Sequence, residues 1–285
     1  MAIERVGVVG CGLMGSGIAQ VCAASGFQTT VREVDEARLG RGLEGIRKNL
    51  ARAVDKGKLK AGEMEATLGR LKGTTSLPDL ASSDLVIEAA TEELDTKKTL
   101  FRDLDERLPR HALIATNTSS LTVIELAAAT RRPDRVLGMH FFNPVPIMKL
   151  VEVVRSIATS EETLSIAKSF AQKLGKEVVE AKDTTGFVVN RLLVPYMLDA
   201  VRCYEQGLAS KEDIDRGMKL GCGYPMGPFE LLDFVGLDTT LSIAEIMFDE
   251  FREPRFAPPS LLRRMVLAGH LGRKIGRGFY DHGGS

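Results

Sequence analysis

Residues 5–26, RVGVVGCGLMGSGIAQVCAASG, decide the fold of this chain. Val6 to Val9 form a short apolar run, which predicts a strand that is covered on both faces. Gly10, Gly12 and Gly15 then match the spacing G-x-G-x-x-G. In that pattern the first glycine makes the turn, the second lets backbone approach a pyrophosphate, and the third permits close helix–strand packing. The stretch therefore predicts a dinucleotide-binding βαβ unit with the anion at a helix N-terminus.

The next predicted strand, FQTTVRE, ends at Glu33. An acidic residue about twenty positions beyond the glycines is what a ribose diol requires. Arg32 could instead bind the 2′-phosphate of NADP, but neighbouring strand residues alternate faces, so only one of the two should face the ribose. We favour Glu33 and expect NAD. A glycine-rich turn in an unrelated protein, with Glu33 on the surface, is the alternative.

Strand-like and helix-like segments alternate as far as Thr184, and only helical patterns follow. The economical solution is an α/β fold, a doubly wound, mostly parallel Rossmann sheet with a helical hairpin insertion, followed by an all-α domain. We predict domains at residues 1–184 and 185–285. Because ligands lie past the carboxyl ends of such strands, one rim should carry Ala89 to Glu92, Asn117, Ser119 and His140.

The stretch from Arg41 to Lys60 is strongly basic, with seven basic residues against two acidic ones. Such a local excess can hold a polyphosphate ligand, although a solvated helix face fits these residues equally well. The chain as a whole has a net charge of zero. We therefore expect neither nucleic acid nor a membrane surface as a partner.

The four cysteines show neither CxxC spacing nor clustering with histidine. We predict that they are small buried hydrophobic residues, with no metal site and no disulfide. No apolar run reaches about 18 residues, and no basic leader precedes the first strand, so we expect no membrane span and no targeting segment. A cytoplasmic location is the expectation in the absence of such signals.

Residues 138–154, GMHFFNPVPIMKLVEVV, place two ionisable side chains in strand-like apolar runs. The two prolines between the runs favour a turn. An antiparallel hairpin centred on Pro146 would set His140 opposite Glu152, close enough to interact. A core histidine bonded to backbone is the alternative. The cofactor rim nearby favours catalysis.

Moving a hydride from a secondary alcohol to nicotinamide requires removal of the hydroxyl proton. His140 has the pKa range for that role, and a carboxylate on its far ring nitrogen would stabilise the imidazolium. Ser119 and a neutral amide could hold the substrate oxygens without adding charge. Asn190, in a long apolar helix, is a candidate for that amide, and an asparagine satisfied within a helical bundle is equally compatible.

Five motifs together resemble the 3-hydroxyacyl-CoA dehydrogenases: GCGLMGSGIAQ, NTSSL, HFFNPVPIMKLVEVV, DTTGFVVNRLL and GYPMGPFELLDFVGLDTT. The chain is most similar to the short monofunctional 3-hydroxybutyryl-CoA type, since 285 residues leave no room for a fused hydratase. The resemblance implies NAD-dependent oxidation of a short-chain (S)-3-hydroxyacyl-CoA. It also implies a homodimer formed through the C-terminal helices.

The resemblance also implies roles for individual residues. His140 would be the base and Glu152 its partner, while Ser119 and Asn190 would contact the substrate. Asn49 and Lys56 would grip coenzyme A, although the family more often has serine at the position of Asn49. The implied cofactor contacts are Gly10, Gly12, Leu13, Met14, Gly15, Glu33, Glu92, Lys97, Asn117, Asn143 and Lys274.

Two other functions fit parts of the pattern. A dehydrogenase for a sugar acid such as gulonate would keep the glycine turn, Ser119, His140 and Asn190, but would not need the basic helices. A non-catalytic NAD-binding protein of the lens-crystallin type would need only the fold. The intact set of Ser119, His140, Glu152 and Asn190 favours an enzyme over the latter.

Overall fold

The computed structural model describes residues 3–119 and 121–283. The chain divides into two compact units, Met1–Thr184 and Thr185–Ser285. The first unit contains an eight-stranded sheet with helices, and the second is helical. This is the predicted fold class, a Rossmann-like α/β unit followed by a helical one.

The strand order of the sheet is β3-β2-β1-β4-β5-β6-β7-β8. Every neighbouring pair is parallel except β6 and β7, which are antiparallel. The central strands are apolar runs buried on both faces, as expected for parallel strands covered by helices. The strands are β1 (Arg5–Val9), β2 (Gln28–Arg32), β3 (Leu71–Thr74), β4 (Leu85–Glu88), β5 (Leu113–Thr116), β6 (Val136–Phe141), β7 (Leu150–Arg155) and β8 (Glu177–Lys182).

Within residues 3–119 and 121–184, six α-helices connect these strands. They are α1 (Leu13–Ala24), α2 (Glu36–Asp55), α3 (Ala61–Gly69), α4 (Leu94–Arg107), α5 (Val123–Ala127) and α6 (Glu161–Lys173). The predicted helical hairpin insertion consists of α2 and α3, which pack against each other between β2 and β3. Leu39, Ile46 and Leu50 are the buried residues of α2. Their spacing of seven and four places them on one face, so the charged side chains point outward.

The hairpin of β6 and β7 has the predicted register. His140 pairs with Glu152 across the antiparallel ladder, and Met139 pairs with Val153. The turn between the strands contains both prolines of the NPVPI segment. The prediction of facing residues is therefore confirmed, and it required only the position of the turn.

The second unit is built from helices α7 (Val189–Glu205), α8 (Lys211–Cys222), α9 (Pro228–Val235), α10 (Leu237–Phe251) and α11 (Ser260–Leu267). Ser210 is the N-cap of α8, and its hydroxyl accepts a hydrogen bond from the Asp213 amide at 3.1 Å. Phe229, Leu232 and Phe256 are fully buried in the core of this unit. No helix in the described parts of the chain is long and apolar enough to cross a membrane.

The prediction that all four cysteines are buried is wrong for two of them. Cys11 and Cys22 are buried, whereas Cys203 is half-buried and Cys222 is exposed. Cys222 is the last residue of α8, and Gly223 follows it in the left-handed conformation that ends the helix. A helix end at the surface has no core for the thiol to join.

Candidate active site

The glycine turn between β1 and α1 has the geometry that its spacing predicts. Gly10 has φ +99°, and a Cβ there would meet the Ala89 carbonyl oxygen at 2.5 Å. A Cβ on Gly15 would meet the Gly10 carbonyl oxygen at 2.0 Å, so only glycine permits this approach. A Cβ on Gly12 would meet nothing within 4 Å, which leaves the backbone at the N-terminus of α1 open. These features fit a dinucleotide pyrophosphate at that helix end.

Glu33 follows directly after β2, and its carboxylate faces the glycine turn. It accepts hydrogen bonds from the amides of Cys11 at 2.8 Å and Val34 at 2.7 Å. This position beside the turn is the one that a ribose-binding carboxylate needs. Burial and the charge of Glu33 raise the pKa of the Cys11 thiol to about 11, so the thiol stays neutral.

A groove of about 620 Å³ joins the glycine turn to the basic helix α2. Leu13 lines it from α1, and Asn49 lines it from α2. Its lining residues are Cys11, Gly12, Leu13, Ser16, Glu33, Arg38, Arg41, Gly42, Gly45, Lys48, Asn49 and Arg52. Four of these are cations and only one is an anion, so the groove suits a phosphate-bearing ligand. Lys56 is not among them; it is exposed at the C-cap of α2.

His140 and Glu152 form a buried pair at the carboxyl end of β6. The imidazole Nδ1 lies 2.7 Å from Glu152 Oε2. Glu152 is fully buried, and His140 is 7% exposed. An ionised carboxylate can only accept, so a neutral imidazole in this pair donates from Nδ1 and has Nε2 as its acceptor. The Phe142 ring packs against the imidazole with its centroid at 4.5 Å, which further restricts the ring.

Asn117 connects two strand ends beside this pair. Its side-chain oxygen accepts a hydrogen bond from the Phe141 backbone N–H at 2.9 Å, and its backbone N–H donates to the Glu88 backbone carbonyl at 2.7 Å. Asn143, in the turn after β6, is exposed. Because the ends of β4, β5 and β6 are aligned by their parallel pairing, the predicted rim is present in the first unit.

A charged network extends along the same rim from β4 to the loop after β5. The Lys97 ammonium, 1% exposed, lies 2.7 Å from Glu88 Oε1 and 3.2 Å from Glu92 Oε2. Glu92 Oε1 accepts the hydroxyl of Thr118 and the Ser119 amide, the latter at 3.0 Å. Burial alone would raise the pKa of Glu92, but Lys97 and these two donors outweigh it and lower the pKa. Glu92 is therefore ionised at neutral pH, and it positions the backbone of Ser119.

Two predicted site residues belong to the second unit. Asn190 is half-buried in the first turn of α7. Lys274 lies in a short 3-10 turn, and its ammonium donates to both oxygens of Asp238 at 2.6 and 2.7 Å.

The residue that sequence reasoning missed is Glu88. It ends the apolar run LVIE of β4 and is fully buried. An ionisable residue in an apolar strand was the signal that drew attention to His140 and Glu152, and the same signal applies here. Thr116 was missed with it, since its hydroxyl donates to Glu88 Oε2 at 2.8 Å.

Two family models together match almost the whole chain. The NAD-binding domain of 3-hydroxyacyl-CoA dehydrogenase matches residues 5–184, and the C-terminal domain of the same family matches residues 186–282. The chain belongs to the 3-hydroxyacyl-CoA dehydrogenase family. Like other 3-hydroxyacyl-CoA dehydrogenases it is an NAD-dependent oxidoreductase, which confirms the predicted family, enzyme class and cofactor.

Individual 3-hydroxyacyl-CoA dehydrogenases are similar to it over at least nine-tenths of their own length. A 3-hydroxybutyryl-CoA dehydrogenase of Mycobacterium tuberculosis is 51% identical over 283 residues, which cover 99% of each chain. The mitochondrial hydroxyacyl-coenzyme A dehydrogenase of Sus scrofa is 49% identical over 98% of this chain and 91% of its own. The crystal structure of (S)-3-hydroxybutyryl-CoA dehydrogenase from Ralstonia eutropha superposes with a TM-score of 0.96 at 44% identity, covering 99% of this chain and 100% of that one.

Proposed function

We propose that this member of the family oxidises short-chain (S)-3-hydroxyacyl-CoA, such as 3-hydroxybutyryl-CoA, reversibly to the 3-ketoacyl-CoA. The observation that carries the proposal is the buried His140–Glu152 pair, with Nδ1 and Oε2 2.7 Å apart on the carboxyl rim of a dinucleotide-binding sheet. The names of the bacterial relatives support the short acyl chain and the (S)-alcohol.

In this proposal His140 is the general base. Its Nε2 takes the proton of the substrate hydroxyl, while Nδ1 continues to donate to Glu152. The carboxylate fixes the tautomer and stabilises the imidazolium that forms. Bound NAD supplies the acceptor for the hydride that leaves the carbinol carbon. In the reverse direction the imidazolium returns its proton to the oxygen of the reduced ketone.

Ser119 and Asn190 are the proposed contacts to the substrate oxygens. Support for Ser119 comes from its rim position and from the bond that Glu92 makes to its amide at 3.0 Å. Support for Asn190 comes from the family motif alone. The proposed cofactor contacts are Gly10, Gly12, Leu13, Met14, Gly15, Glu33, Glu92, Lys97, Asn117, Asn143 and Lys274.

Coenzyme A is the proposed ligand of the basic helix α2, through Asn49 and Lys56. The excess of cations in the groove beside the glycine turn supports a phosphate-rich ligand. An amide at position 49 can donate as a serine hydroxyl does, but it is longer and reaches a different point. Lys56 can act as a point charge on a flexible stem, which suits a phosphate of varying position.

We propose that residues 1–184 are the NAD-binding domain and that residues 185–285 carry substrate contacts and the dimer interface. Exposed leucines in the second unit support a homodimer: Leu192, Leu208, Leu220 and Leu267 are 70–87% exposed in the single chain. We also propose that the protein is cytoplasmic.

A kinetic series tests the substrate directly. NADH oxidation is followed with 3-ketoacyl-CoA esters of rising length, beginning with acetoacetyl-CoA, and NAD reduction is followed with sugar acids such as gulonate. We expect the highest kcat/KM with acetoacetyl-CoA and no turnover of sugar acids. A preference for a sugar acid would contradict the proposal, and NADH binding without turnover of any acyl-CoA would indicate the non-catalytic alternative.

A further inference from the structure

Glu88 is a fully buried carboxylate with a complete set of partners at the end of β4. Both of its oxygens lie 2.7 Å from the Lys97 ammonium. Oε1 also accepts from the Ala90 amide at 2.7 Å, and Oε2 accepts from the Thr116 hydroxyl at 2.8 Å. These four hydrogen bonds fix the rotamer of Glu88, so the Lys97 ammonium is bound at a fixed position beside the sheet.

Lys97 transmits this constraint to the rim. Its ammonium reaches Glu92 Oε2 at 3.2 Å, and the other oxygen of Glu92 receives the Ser119 amide at 3.0 Å. A continuous series of polar contacts therefore runs from the core of the sheet to a proposed substrate contact. Glu92 is 38% exposed, whereas the other two charged groups are 0–1% exposed, so only the outer end of the series is accessible to a ligand.

The charges explain why two carboxylates share one ammonium. Without Glu88, Lys97 would be a buried cation with Glu92 as its remaining carboxylate, and it would hold Glu92 more tightly. With Glu88 present, the inner pair is close to neutral, and Glu92 keeps a negative charge for its outer contacts. Since buried ion pairs add little net stability compared with apolar packing, stability alone is a weak reason for this arrangement.

We infer that Glu88 is a positioning residue for the dehydrogenase reaction: it holds Lys97, and through Lys97 it places Glu92 and the Ser119 backbone for cofactor and substrate. The inference rests on the proposed function, because the roles of Glu92 and Ser119 belong to that proposal. Glu88 itself is fully buried, so in this inference it acts through Lys97 and not by touching a ligand.

The test is a double-mutant cycle on the full-length enzyme with the variants Glu88→Gln, Lys97→Met and the pair. NADH affinity is measured by fluorescence titration, and kcat is measured with acetoacetyl-CoA. Glu88→Gln should weaken NADH binding and lower kcat/KM by about 10- to 100-fold, the scale of small misplacements in an active site. If Glu88 acts through Lys97, the double variant should be no worse than Lys97→Met alone.

The matched control is Asp105→Asn. Asp105 is a buried carboxylate of the same unit, and it pairs with Arg132 at 2.6 Å. The Asp105→Asn variant should have a lower melting temperature than wild type. Its NADH affinity and kcat/KM should stay within about twofold of wild type, as expected for a change away from the site. If Glu88→Gln does not fold, Thr116→Val is the second variant, because it removes one of the donors to Glu88 without changing any charge. Thr116→Val should also lower NADH affinity.

Three results would overturn the inference: Glu88→Gln with wild-type NADH affinity and kcat/KM, additive losses in the double variant, or an equal kinetic loss in Asp105→Asn. Failure of the proposed function is a different result, namely a folded wild-type enzyme that binds NADH but does not reduce acetoacetyl-CoA. In that case, NADH titration of the variants would still show whether Glu88 affects cofactor binding.

Discussion

Replacing Glu152 by glutamine tests the charge of the carboxylate with little change in shape. Glu152 is fully buried, and its Oε2 lies 2.7 Å from His140 Nδ1. Two unit charges about 4 Å apart interact by about 4 kcal/mol at an effective dielectric constant of 20. The amide oxygen of glutamine can still accept a hydrogen bond from the Nδ1 N–H group. We therefore expect to lose only the part of the imidazolium stabilisation that depends on the carboxylate charge, about 2–3 kcal/mol.

Each 1.36 kcal/mol is about tenfold in rate, so kcat should fall by about 30- to 150-fold. The assay is steady-state oxidation of NADH by acetoacetyl-CoA, with NADH affinity measured by fluorescence. NADH affinity should be unchanged, because the lost charge stabilises only the imidazolium. Glu180→Gln is the control, since Glu180 lies on the adjacent strand β8 and bonds to Lys168 rather than to the histidine.

An unchanged kcat in Glu152→Gln would remove the carboxylate from the mechanism. A parallel loss of NADH affinity would also refute the reasoning, because it would indicate general damage to the sheet. A similar loss in Glu180→Gln would show that the effect is not specific to the pair.

Three further predictions concern coenzyme A, the cysteines and acid stability. Lys56→Ala should raise the KM for acetoacetyl-CoA more than it lowers kcat, and should not affect a truncated thioester that lacks the nucleotide. Iodoacetamide at neutral pH should label Cys222 well before Cys11, because Cys11 is buried and its pKa is raised to about 11. Peptide mass spectrometry measures the order of labelling. Asp105→Asn should lower the melting temperature at pH 7 and lose less stability than wild type on acidification.

The sign of the acid prediction follows from the pKa of Asp105. Burial pushes this pKa up, but hydrogen bonds from Arg131 and Arg132 outweigh burial and lower it. A lowered folded pKa gives stability that is complete above the ordinary value of about 4 and is lost as the pH falls through the folded value. The stability gap between variant and wild type should therefore narrow below about pH 4.

Contrary results are equally clear for these three experiments. Equal effects of Lys56→Ala on full and truncated thioesters would mean that Lys56 does not touch coenzyme A. Labelling of Cys11 as fast as Cys222 would contradict its burial. A constant difference in melting temperature across the acid range would mean that Asp105 is not held ionised by its arginines.

The sequence predicts most of the fold because its signals are local. Glycine spacing determines the first turn, and the two prolines near residue 146 determine the centre of the hairpin, so the register of His140 with Glu152 follows by counting. The helical insertion follows from patterns of a few residues. Such signals need no knowledge of distant contacts.

What the sequence did not predict depends on contacts between distant residues. Glu88 at the end of an apolar strand signals a buried carboxylate, but its partner Lys97 lies in a helix with a polar sequence, so the sequence does not identify the pair. The exposure of Cys222 depends on where α8 ends relative to the core. Both follow from three-dimensional packing, to which residue type and spacing are only a weak guide.

The central claim is that His140, held by Glu152, exchanges a proton with the substrate oxygen. The most direct measurement is kcat of His140→Ala for the reduction of acetoacetyl-CoA by NADH, with NADH binding followed in parallel. We predict that kcat falls by about two to four decades, the scale of general acid–base catalysis, while NADH affinity is retained. Turnover close to that of wild type would contradict the claim.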